Sequence, residues 1–158
     1  MDVDIDLHAG IILIRAWLPF KSVIPHERTL LLPESGRIQY EKKESTEINK
    51  QYAELCAAIL MQLSTLLYAK VPNIEKTYVW GMSKEGDEDA CILAFQLNRQ
   101  AVMKVATAST ALLALQGLGA MYSCDEFLKM LPMEVAYPVE WEAVERKALR
   151  SLHIKIYR

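Results

Sequence analysis

The sequence predicts a single α+β domain over residues 1–158, with a mainly antiparallel sheet, a long central helix at about 46–70 and a helical C-terminal half. Three observations carry that expectation. In "DVDIDL", residues 2–7, apolar and acidic residues alternate strictly, which is the period of a strand with one buried face. Residues 45–70 repeat apolar side chains at helical spacing without a Gly or Pro. Strand-like segments gather before residue 98 and helix-like ones after it, whereas β-α units would alternate.

The elements follow in order. Val3, Ile5 and Leu7 share one face of the first strand, and the acids Asp2, Asp4 and Asp6 share the other, a charged row suited to guarding a sheet edge. "IILIRAWL", 11–18, reads as a second strand, set off by a turn at Ala9-Gly10. Residues 28–32 and 37–42 flank "PESG", where Pro33 and Gly36 suit a hairpin turn. The long helix has Ser45 or Thr46 as N-cap and Glu47 in its first turn. Its stripe is Ile48, Tyr52, Leu55, Ile59, Leu63 and Leu66, widened by Cys56, Leu60 and Leu67. Lys70 suits its C-terminal end and Pro72 stops it.

A second hairpin spans 76–97. Tyr78, Trp80 and Met82 fall on one face of its first strand, and Thr77, Val79 and Gly81 on the other. Residues 90–97 are apolar up to Gln96, so a covered, central strand is expected there. Asn98 is a good N-cap for "RQAVMKV", and the uncharged run 105–121 predicts more helix, stopped at Gly117 or Gly119. Ser123 and Glu126 have capping-box spacing ahead of a short helix that ends at Pro132. "PVEWEAVERKALRSL" predicts a last helix, with Pro138 near its start, acids early, bases late and a Glu142–Arg146 pair. Leu152, Ile154 and Ile156 alternate as in a closing strand.

Bulk properties exclude several function classes. Hydrophobic residues make up 52% and charged residues 24%, so the chain has the material of a compact core and not of a disordered segment. A formal net charge of -2 argues against binding nucleic acid mainly through phosphate neutralisation. The one basic cluster is Arg146, Lys147, Arg150, His153, Lys155 and Arg158, with Glu140, Glu142 and Glu145 beside it. Cys56, Cys91 and Cys124 form no CxxC pair, and the count is odd, which fits free thiols in a reducing cytoplasm. The first residues are acidic where a signal peptide would be basic. The uncharged stretch 105–124 is too rich in Ser, Thr, Gln and Gly for a membrane span.

Candidate chemistry is sparse. The segment "EGDEDA", 85–90, concentrates carboxylates, and Asp87 and Asp89 are its candidate ligands for Mg²⁺ or Ca²⁺. It has neither the length nor the terminal Glu of an EF-hand loop, and a solvated hairpin end explains the same residues. A metal-dependent nuclease core would need a Glu/Gln-x-Lys on the next strand, where this chain has Gln96-Leu97-Asn98. Glu41-Lys42-Lys43 has the spacing, but in a charge run. His8, His26 and His153 lack zinc-ligand spacing, and no G-x-S-x-G or phosphate-binding glycine loop occurs.

What remains is apolar surface. Helical segments 55–69 and 105–121 and strand 90–97 lack a polar face, and a domain of this size has room to surround few elements completely. The expected function is therefore non-catalytic: a cytoplasmic interaction or assembly module that buries an apolar helical face in a homo-oligomer or protein partner, with no cofactor. Two alternatives belong to other classes. One is a Mg²⁺-dependent nucleic-acid-processing enzyme using the acidic tip. The other is a small-ligand binder with an apolar pocket walled by Tyr78, Trp80 and Phe95.

Overall fold

The computed structural model describes residues 1–84, 88–105 and 108–156. β1 (Asp2–His8) and β2 (Ile11–Trp17) form a hairpin. Its two turn residues, Ala9 and Gly10, both take positive φ (49° and 80°), the twist that suits right-handed strands. β3 (Glu27–Leu32) and β4 (Arg37–Lys42) form a separate two-stranded sheet closed at Gly36, where φ is 63°. α1 runs from Ser45 to Lys70. β5 (Lys76–Ser83) and β6 (Ala90–Asn98) pair antiparallel, followed by α2 (Arg99–Val105) and α3 (Ala111–Gly117). β7 (Ser123–Cys124) and β8 (Met130–Leu131) make a small hairpin, and β9 (Arg150–Lys155) is the last strand.

The main sheet has the order β6-β5-β2-β1-β9. Only β2 and β5 run parallel, and α1 lies in the crossover that such a pair requires. The architecture is thus α+β with a mostly antiparallel sheet, as the sequence predicts. One sheet face is covered by α1 and α3. Its core includes Ile12, Ile14, Val79, Leu93, Phe95, Leu60 and Leu115. The helix approaches closely because small residues lie beneath it: Ala53, Cys56, Ala57 and Ser64 are all buried. Gly81 completes the fit, with Leu18 and Leu60 pressed against the place a side chain would occupy. Tyr52 and Tyr68 end the stripe by donating hydrogen bonds to the carbonyls of Pro19 (2.8 Å) and Leu97 (2.9 Å).

The second face is where the expectation of a helical C-terminal half fails. Residues 133–149 cross it as an irregular strap with two short 3-10 turns, Val139–Trp141 and Arg146–Ala148. Leu13, Trp80, Cys91, Ala94 and Trp141 form a second core there, joined by Met133, Val135, Val144 and Leu149. The strap must reach from β6, where Met133 bonds Cys91, to β9 at the opposite edge, four strand spacings or roughly 19 Å away. A helix over 139–152 would turn part of its apolar set away from that face, and the strap covers it instead.

Other local expectations give way for equally local reasons. At 123–131 no helix forms. Asp125 Oδ1 accepts from the amides of Phe127 and Lys129 (both 2.9 Å), an alternative that Asp offers the backbone in place of a helical turn. β6 is buried on both faces, yet it lies at the sheet edge and not in the centre. Its outer side is met by bridges from Met121 to Ala94 and from Met133 to Cys91. β1 is interior, and β9 is the edge strand. The predicted stops near 117–119 hold: Gly119 has φ 75°, its amide bonds Gln116 and that of Ala120 bonds Leu115, closing α3 in a Schellman motif. Asn98 caps α2 by accepting from Ala101 (2.8 Å).

Candidate interaction surface

The residues that sequence grouped as chemical sites fare differently in the structure. Asp87, with Glu85 and Gly86, lies outside the described residues, and Asp89 is exposed. Among the described residues no group of three His, Cys, Asp or Glu side chains converges to hold a metal ion. Glu41 pairs with Arg28 across the β3–β4 hairpin (2.7 Å), and Lys43 donates to Gln51 of α1 (2.9 Å). Tyr78 and Trp80 belong to the second face, whereas Phe95 stands opposite Val79 in the first core, so the three do not wall one pocket.

A polar network that sequence spacing does not show ties β9 to the sheet. Arg15 Nη2 reaches Asp6 at 2.9 Å and Asp4 at 3.7 Å; Ser151 donates to Asp6 (2.6 Å), and His153 Nδ1 meets Asp4 (2.5 Å). The acidic row of β1 is therefore answered by residues of β2 and β9. Ser151 and His153 engage different aspartates, so no Ser–His relay exists here. A cavity of about 320 Å³ adjoins the network, lined by Tyr137, Trp141 and Arg146 among others. Nearby, Glu140 of the strap accepts from Lys76 (2.7 Å) and Tyr78 (2.8 Å). The Lys76 ammonium holds the Glu140 carboxyl down at about 2, and Glu140 in turn raises Lys76. Desolvation, then the Glu140 carboxylate, raises Tyr78. These groups fasten the strap.

The two buried thiols are inert by environment. Burial pushes Cys56 up to about 12 and Cys91 to about 11. Cys124, half-buried, is raised by desolvation and by Asp125. All three are free.

Two exposed apolar features stand out against this bonded framework. The first is a trough beside α1. α3 packs on one flank of α1, where Glu54 accepts from the amides of Ala111 and Leu112 at the start of α3. The other flank carries the row Leu55, Ile59, Leu63 and Leu66, which the sequence stripe places in the core. Here these residues are only partly buried, and Leu66 is 50% exposed. Ile59 looks across a cavity of about 640 Å³ towards Met1, Trp17, Phe20, Val23 and Ile156. Beyond it, Leu152 and Ile154 of β9 pair with Ile5 and Val3, and so lie on the helix side of the sheet. Leu152 is 57% and Phe20 is 57% exposed. The trough's charged rim is neutralised by the Asp2–Lys84 pair (3.1 Å).

The second feature is the β3–β4 hairpin. Every residue of both strands is exposed. Leu31 stands opposite Ile38 and Thr29 opposite Tyr40, so Leu31, Ile38 and Tyr40 share one face, exposed by 68%, 60% and 67%. Among the described residues, its side-chain ties to α1 lie at the root, Arg28–Glu47 (3.5 Å) and Lys43–Gln51 (2.9 Å). The hairpin is therefore an arm.

The described residues thus form a mixed α+β protein with an apolar trough and an apolar arm. The chain matches no family model, no curated protein and no solved structure.

Proposed function

We propose that this protein is a non-catalytic assembly module of the cytoplasm whose partner is a second copy of the same chain. The observation that carries this reading is the trough between α1 and the β1–β9 edge, lined by Trp17, Phe20, Val23, Ile59 and Ile156 with a neutralised rim. Contiguous apolar surface of that kind is rare on soluble monomers and marks a place that another surface covers. The three free thiols, two of them deeply buried, suit a reducing compartment. Oligomers of one chain are mostly closed and two-fold, so a dimer is the expected state.

Sedimentation or light scattering at micromolar concentration tests the reading. The wild type is expected to run as a dimer, and Phe20→Asp with Ile156→Asp to run as a folded monomer with an unchanged circular dichroism spectrum. A wild-type monomer at tens of micromolar, with no exposure-driven self-association, refutes it.

A further inference from the structure

The arm and the trough are complementary. We infer that the β3–β4 hairpin of each copy lies in the trough of the other, so that two copies exchange arms about a two-fold axis. This deepens the assembly reading above and rests on it.

Four observations argue for this occupant. An isolated two-stranded hairpin is at best marginally stable in water, and this one keeps its largest apolar side chains, Leu31, Ile38 and Tyr40, outside the core. Its ordering makes sense when that face is covered. Secondly, the arm springs from the trough's own rim. Phe20 and Val23 line the trough, and β3 begins at Glu27, so arm root and trough adjoin and one two-fold axis can bring both pairs of surfaces together.

Thirdly, the areas suffice. Leu31, Ile38 and Tyr40 of the arm and Met1, Phe20, Val23 and Ile156 of the trough are 38% to 68% exposed, and covering them removes roughly 800 Å² per protomer, the size of a standard stable interface. Lastly, charge disfavours the simplest competitor. A symmetric antiparallel pairing of β9 with its copy sets Arg150 against Lys155 at both ends. The arm instead carries three acids (Glu27, Glu34, Glu41) and three bases (Arg28, Arg37, Lys42), and it brings no net charge to the basic edge.

The test uses two variants of the full chain. Leu31→Asp with Ile38→Asp spoils the arm, which contributes nothing to the core, and Phe20→Asp with Ile156→Asp spoils the trough. Each alone is expected to weaken dimerisation more than tenfold. Mixed in equal amounts they are expected to form a heterodimer, since one intact arm then meets one intact trough. If the wild type dimerises and the arm variant does so equally well, or if the mixture recovers nothing, arm exchange is wrong while assembly stands. If the wild type is monomeric, both fall. Hydrogen exchange on the wild type gives a reading independent of the variants. Amides of Thr29 to Leu32 are expected to gain protection as protein concentration rises, and equal exchange at every concentration overturns the inference.

Discussion

Single residues set the tightest tolerances in this protein. A methyl group at Gly81 would sit 2.9 Å from Cδ1 of both Leu18 and Leu60, and those leucines are themselves buried, so neither end can swing into solvent. Gly81→Ala is therefore expected to cost about 1–3 kcal/mol as an overpacked core does, lowering the melting temperature by roughly 3–10 °C. Combining it with Leu60→Ala should cost less than the two changes summed, because the truncation vacates the contested space; strict additivity in calorimetry would count against the close approach. The thiols give a second measurement. Protonated and enclosed, Cys56 and Cys91 should resist alkylation in the native protein at pH 8, while Cys124 reacts slowly. Mass spectrometry should find one modification before unfolding and three after it.

At the scale of elements, local signals win where no distant surface competes for the same residues. The two hairpin turns, the extent of α1 and the glycine stop after α3 are legible because each is settled within a few residues. The facing of α1 is less legible. The largest residues suggest a stripe through Leu55, Ile59 and Leu63, but close packing on the sheet selects the smaller Cys56, Ala57 and Ser64, which turns the leucine row to the flank. The strap is the clearest failure: Pro138, early acids and late bases are fair helix signals, and they lose to an uncovered face built on Leu13 and Trp80. Its fastening has a pH signature. Glu140 is depressed in the folded state to about 2 from an ordinary 4.5, so its contribution is fully present above about pH 4.5 and is lost as pH falls towards 2. Because the pair is solvent-accessible, salt should shrink the effect. Glu140→Gln is expected to flatten the stability curve between pH 5 and about 2 while leaving neutral-pH secondary structure unchanged; acid unfolding followed by fluorescence checks it.

The whole molecule depends on pairings that no local pattern reveals. β9 closes against β1 from the opposite end of the chain, and the parallel β2–β5 pair spans the arm and α1. The candidate surface is similarly composite. Sequence registers an excess of apolar material in α1, but the trough exists only because α1, the segment at Phe20 and the edge strand converge, and the arm's exposure follows from its standing outside the main sheet. If a second copy covers these surfaces, assembly is linked to folding, and stability must depend on protein concentration. Each tenfold rise in concentration then adds about 1.4 kcal/mol to a dimer, which for two chains of this length raises the melting temperature by about 2 °C. Calorimetry over a hundredfold range should therefore show a rise of about 4 °C in the wild type and a smaller one in the arm variant Leu31→Asp with Ile38→Asp. A midpoint that stays fixed across that range would mean that the leucines of the arm and the floor of the trough remain in water, and that this chain tolerates them there as a monomer.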